Sequence, residues 1–176
     1  MMLCLALLLA PTMLALEVEV EQPPGIDYDQ YQTYTWKAVE RPKNHPLHEG
    51  SPMDIYTRAV VREHLTLKGL QPAREGEKAD LWVTYDGVLV PELQDVGVRK
   101  DLGPVTWTGV SGPDSAGSGP GYRGYFEIIF EDAESGERIW TGRALDVAIA
   151  GQPNPTKMQK KIKKAARAVL KRYPAR

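Results

Sequence analysis

One cysteine, three histidines and no apolar run long enough to cross a bilayer are all that this chain of 176 residues offers to thiol, imidazole or membrane chemistry. Each shortage excludes something. Cys4 sits at the extreme N-terminus, so neither a disulfide framework nor a cysteine nucleophile serves the rest of the chain. No G-x-S-x-G is present, which leaves serine hydrolysis without its usual turn. A net charge of −1 removes any whole-molecule attraction to polyanions. What remains is the length of a single domain, enough to bury a core without metal or disulfide staples.

Residues 1–15 contain no charged side chain, and their apolar run, Leu3 to Ala10, falls well short of the roughly 20 residues of a spanning helix. The run resembles the h-region of a secretory signal peptide, with cleavage expected after Ala15 and Ala10 as second choice. A basic n-region is missing, so either the α-amino group supplies the positive charge or the true start lies upstream. Pro11 and the lack of helical periodicity speak against a buried N-terminal helix. Only three residues precede Cys4, too few for a lipidation site. The expectation is a periplasmic or otherwise exported mature chain, 16–176, without a lipid anchor or a transmembrane helix.

The segment Tyr125 to Ala150 organises the rest. Two β-rich runs flank a polar cluster with Gly136, which predicts a long antiparallel hairpin. With Ile129 opposite Thr141, the large Phe126, Ile128 and Phe130 meet Ala144, Gly142 and Trp140, and Glu127 meets Arg143 on the reverse face. This register makes Phe126, Ile128, Phe130 and Trp140 the floor of the core. It also points Leu145, Val147 and Ile149 away from the helices, as an uncovered apolar row.

Other elements follow from local chemistry. Leu16 to Glu21 alternates as a short edge strand or a solvated arm, and Tyr31 to Trp36 is rich in β-forming residues. Ser51 and Pro52 open a helix that Gly69 stops, with Met53, Tyr56, Val60, Val61, Leu65 and Leu67 on its apolar face. Ala79 to Tyr85 reads as a strand, and Asp86–Gly87 as a tight turn into Val88 to Val90. Residues 92–124, rich in Gly, Pro, Ser and Asp, read as an insertion. Asn154 and Pro155 open a last helix whose apolar stripe is Met158, Ile162, Ala165, Ala166, Val169 and Tyr173. The expected fold is α+β, a two-layer sandwich of a mainly antiparallel sheet of four to five strands with two amphipathic helices on one face.

Several of these segments together resemble the domain of unknown function 4136 family of bacterial envelope proteins. They are Tyr31, Thr33, Tyr34 and Trp36; Lys68-Gly69-Leu70; A-D-L-W-V-T-Y from Ala79; R-G-Y-F-E-I-I-F-E-D from Arg123; I-W-T-G-R-A from Ile139; and Arg172-Tyr173-Pro174. The resemblance spans roughly Asp27 to Pro174. It implies an exported α/β domain, often a lipoprotein, with no established activity, ligand or cofactor and no functional residues to carry over.

Candidate sites are few. Gly119, Gly121 and Gly124 satisfy G-x-G-x-x-G, but a strand rather than a helix follows them. His45, His48 and Glu49 supply metal donors without a convergent partner, and His64 falls within a helical apolar stripe. Asp132 and Glu134 are explained by turn chemistry. The strongest feature is the outer face of the last helix: Lys157, Lys160, Lys161, Lys163, Lys164, Arg167, Lys171 and Arg172, with no acid among them. Such a face suits anionic envelope surfaces or acidic proteins; the absence of aromatics on it disfavours nucleic acid. The expectation is a binding module without catalysis. Its contact surfaces would be Lys157, Lys160, Lys161, Lys164 and Arg167, with Leu145, Val147 and Ile149. The alternative is a small-ligand or metal module built on residues 92–124 and the His45/His48 loop.

Overall fold

The order of elements is β1 (Val18–Glu21), β2 (Thr33–Trp36), α1 (Pro52–Leu67), β3 (Gln71–Pro72), β4 (Leu81–Pro91), β5 (Tyr122–Asp132), β6 (Arg138–Ala144) and α2 (Pro155–Leu170). The computed structural model describes residues 16–91, 122–149 and 154–174. The expected signal peptide and nearly all of the expected insertion lie outside the described residues.

The hairpin β5–β6 forms in the predicted register. Phe126 pairs with Ala144, Ile128 with Gly142, Ile129 with Thr141 and Phe130 with Trp140, and a bulge follows between Phe130 and Glu131. Volume explains the parity: a Cβ at Gly142 would lie 2.2 Å from the Trp140 ring and 2.6 Å from Val169, so only glycine lets α2 close onto the sheet there. Trp140, Phe130 and Tyr173 then stack with ring centroids 4.6–5.3 Å apart in the fully buried centre. On the reverse face Arg143 Nε donates to Glu127 at 2.7 Å.

Two expectations about the sheet need correction. It has six strands, in the order β1-β6-β5-β4-β2-β3, and it is mixed: β2 runs parallel to both β4 and β3. Parallel neighbours need a crossover, and the chain from Trp36 to Leu81, which carries α1, supplies it. Asp86–Gly87 makes no turn either. β4 continues through both residues, pairing Asp86 with Glu127 and Gly87 with Phe126. Arg41 beside Asp86 and Arg143 beside Glu127 offset the facing carboxylates, and Gly87 leaves room beside the Phe126 ring.

Both helices begin as predicted. The Ser51 hydroxyl accepts from Asp54 N at 3.0 Å, and Asn154 Oδ1 accepts from Lys157 N at 2.9 Å. On α2 the whole predicted stripe is buried. On α1 the buried residues are Asp54, Thr57, Val60, Val61 and Leu65, while Leu67 is 76% exposed. Leu67 stands 200° around the helix from Leu65 at 100° per residue, on the side turned to solvent.

The apolar row after β6 is also corrected. Asp146 takes a left-handed backbone, φ 52°, and adds one residue to this strand relative to β5: Ala144 faces Phe126, but Ile149 rather than Ala148 faces Tyr122. An extra residue reverses the parity of everything beyond it. Val147 and Ile149 therefore turn to the helix side and are buried, 6% and 2% exposed, and Leu145 is half-buried with its N–H donating to Glu17 O.

The sheet has two unlike edges. β3 is two residues long, and its Pro72 has no N–H to present outward, since Gln71 N and Ala73 N already donate to β2. β1 is longer and free of proline. Leu145 N donates to Glu17 O, and the pairs Glu19–Arg143 and Glu21–Thr141 continue that bonding phase. The N–H and C=O groups of Val18 and Val20 therefore point away from the sheet.

Candidate functional site

The side chains of α2 divide by face. Met158, Ile162, Ala165, Ala166, Val169 and Leu170 are buried, whereas Lys157, Lys160, Lys163, Lys164, Arg167, Lys171 and Arg172 are exposed and Lys161 is half-buried. Among the described residues, Lys160, Lys161, Lys163, Lys164, Arg167, Lys171 and Arg172 have no ion-pair partner, and no acid stands in the first turn. Elsewhere Lys37, Arg41, Arg58, Arg74, Lys78 and Arg143 each meet a carboxylate within 4 Å. From Lys160 to Arg172 the cationic face of α2 thus has no ion pair among the described residues, and Lys157 in the first turn opposes the positive end of the helix dipole.

The structure brings part of this face together with part of the predicted apolar row. Lys161, Lys164, Val147, Ala148, Asp146, Leu16 and Glu17 line a notch of about 220 Å³. Lys161 and Val147 also border an apolar slot beneath it, floored by Phe126, Leu89, Met158 and Ile162. The slot has only about 30 Å³ of unfilled space, room for a water or a methyl group. It is a packing seam, not a ligand cavity. Lys157, Lys160, Arg167 and Leu145 do not line the notch.

One cluster was not anticipated from the sequence. Asp54, 2% exposed, accepts from the Tyr85 hydroxyl, from Gly50 N at 2.9 Å and from Arg58 Nε at 3.3 Å. Arg58 also donates to the Tyr85 hydroxyl at 3.2 Å and lies over the Trp36 ring, while Arg41 lies over Tyr85 and bonds the Leu47 and Tyr85 carbonyls. Burial, and then the Asp54 bond, push the Tyr85 hydroxyl well above its ordinary range. Every donor and acceptor of Asp54 is engaged, so the cluster ties α1 to β4 and the preceding loop and leaves no group facing a substrate. From sequence Asp54 reads as an ordinary first-turn acid; its signal is its place at i−4 from Arg58 on the face that also holds Thr57 and Val61.

The remaining candidates serve structure. His45 Nδ1 accepts from Leu47 N at 3.1 Å, and His48 Nδ1 donates to Arg41 O at 3.0 Å, so both rings spend a nitrogen on the loop before α1. Burial lowers the affinity of His45 and His64 for a proton. His64 faces α2, with Lys163 and Arg167 nearby. No group of three or more metal donors exists among the described residues. Asp132 Oδ1 accepts from Glu134 N and Ser135 N at 2.9 and 2.7 Å, which shapes the hairpin turn and holds its carboxyl below the usual range. Gly119 and Gly121 lie outside the described residues; Gly124 is in β5, and no helix follows it. No described helix is long and apolar enough to cross a membrane.

Comparison with known proteins adds the following. The model of a family described as Domain of unknown function (DUF4136) matches residues 18–175. No curated protein sequence matches the chain. Among solved structures, a PDZ domain protein from Parabacteroides distasonis is similar with a TM-score of 0.60 at 15% identity, over 90% of this chain and 35% of that one. This chain therefore spans about a third of that protein's length, and the likeness is one of fold. PelC from Paraburkholderia phytofirmans, solved as a dodecamer, gives a TM-score of 0.48 at 11% identity, over 91% of this chain and 98% of that one.

Proposed function

We propose, from the premise that the chain belongs to the DUF4136 family, that it is an exported cell-envelope domain that acts by binding an anionic surface through α2. The observation that carries this reading is the run of cations on that helix from Lys160 to Arg172, none of them in an ion pair among the described residues. A row of exposed lysines beside a positive helix end is a local electrostatic cost, and an external layer of phosphate or carboxylate groups relieves it. The opposite side of α2 is fixed to the sheet by its buried stripe, so the cations are held on a rigid element. The reading is one of adhesion or docking without bond-making.

The test is co-sedimentation with vesicles containing phosphatidylglycerol and with neutral phosphatidylcholine vesicles. The protein should bind the former at low salt and detach as salt rises through the range where the Debye length falls below about 10 Å. Changing Lys160, Lys163 and Lys164 to glutamate should weaken binding at least about tenfold, since each surface cation is worth about 1 kcal/mol at such a membrane. Equal retention of the reversed variant at low salt would remove the proposal. Export is tested separately by the N-terminal sequence of the protein from the envelope fraction, expected to begin at Leu16.

A further inference from the structure

The geometry points to the outer edge of β1 as a site where an extended segment of a partner protein, with lysine or arginine at alternate positions, adds as a seventh strand. Three observations converge. First, this edge of the sheet has outward backbone groups to offer: Val18 and Val20 present their N–H and C=O groups, whereas Pro72 blunts the β3 edge. Second, Val20 is one of only three exposed large apolar residues among those described, and unlike Ile55 and Leu67 it stands on a strand edge. A shallow notch of about 410 Å³ runs beside it, lined by Val18, Val20, Gln22 and Arg172, where the inward side chains of an added strand would lie. Third, the other face carries Glu19 and Glu21, with Glu17 just before the strand, all exposed and none within ion-pair distance of a cation among the described residues; Arg143 on β6, already held by Glu127, attracts Glu21 from farther off.

The charge pattern selects the occupant. A second copy added antiparallel would set glutamate against glutamate on that face, a destabilising cross-strand pair. A strand with cations opposite Glu19 and Glu21 gains at the same positions, with apolar side chains falling over Val18 and Val20. The glutamates thus act as a filter that repels self-pairing and admits a basic partner. This surface adjoins the cationic face of α2 at Arg172 and Glu17, but it uses backbone groups of β1 that the helix does not, so either proposal can fail alone.

The experiment uses the purified protein and two capped synthetic peptides, one alternating lysine with valine and one alternating glutamate with valine, with amide hydrogen exchange as readout. The lysine peptide should slow exchange at Val18 and Val20, with an affinity roughly fivefold or more above that of the glutamate peptide. The pair Glu19→Lys with Glu21→Lys should invert the preference. Val20→Pro removes one outward N–H and leaves the bonds to β6 in place, so it should abolish peptide protection at Val18 while Leu145 stays protected. Any of four results overturns the proposal: no protection up to millimolar peptide, equal protection by both peptides, protection that survives Val20→Pro, or a concentration-dependent dimer that Val20→Pro dissolves.

Discussion

Gly142→Ala is the sharpest probe of how α2 is seated. The new Cβ would lie 2.2 Å from Trp140 Cη2 and 2.6 Å from Val169 Cγ1, where ordinary contacts begin near 3.4 Å. Each neighbour must yield about 1 Å. Trp140 has nowhere to go, since its ring is fully buried between Phe130 and Tyr173. Val169 is a fully buried residue of α2, so relief requires the helix itself to lift from the sheet. Overpacking of this kind costs about 1–3 kcal/mol, against which alanine recovers about 0.5–1 kcal/mol through its smaller unfolded-state entropy. The net expectation is about 1 kcal/mol of destabilisation, or about 2–4 °C in Tm for a domain of this size. Urea unfolding followed by tryptophan fluorescence should show a lower midpoint with an unchanged slope. Adding Val169→Ala removes one clash, so the double variant should be less destabilised than the sum of the singles, by about 0.5–1 kcal/mol. A Gly142→Ala protein as stable as the parent would refute the argued packing of α2 on β6.

Further predictions concern polar groups that are buried or half-buried. Asp54→Ala would strand the Gly50 N–H and leave the Tyr85 hydroxyl and the Arg58 guanidinium without their buried carboxylate, though Arg58 keeps Glu49, and should cost about 3 kcal/mol in urea unfolding; Tyr85→Phe removes one donor and should cost about 1–2 kcal/mol. His45 and His64 hold their protons less tightly folded than unfolded because of burial, so the unfolded chain binds more protons below the ordinary histidine range. Their contribution to stability is full above about pH 6.5 and is lost as pH falls through their lowered folded values. Tm should accordingly decline from pH 7.5 to 5, and His64→Gln should flatten part of that decline.

The legible parts of this fold are those in which side-chain volume decides. Gly142 and Ala144 opposite Ile128 and Phe126 leave a single register for the hairpin, and the buried stripe of α2 repeats without a gap. The caps at Ser51 and Asn154 announce themselves by residue type. The illegible parts turn on a single residue's backbone. Leu145, Val147 and Ile149 alternate identically whichever way they point, and only the φ of Asp146 decides which face they take. Asp86–Gly87 has turn composition, yet its neighbours Arg41 and Phe126, distant in sequence, make a continuous strand the better solution. The parallel pairing of β2 with β4 leaves no local mark, because short strands of either sense share one composition. For the candidate surface, charge was readable and convergence was not: Lys161 and Val147 meet only because the strand reverses parity at Asp146.

The pairing of Pro91 with Tyr122 gives the sheet a feature of practical use. These two residues are cross-strand neighbours, so whatever sequence connects them leaves and returns at one place. Closing a loop costs free energy only as the logarithm of its length, about 0.6 kcal/mol for each doubling. The end of the β4–β5 ladder thus holds both ends of its connection side by side, which is the geometry that splicing in a reporter, an epitope or a small domain with neighbouring termini requires.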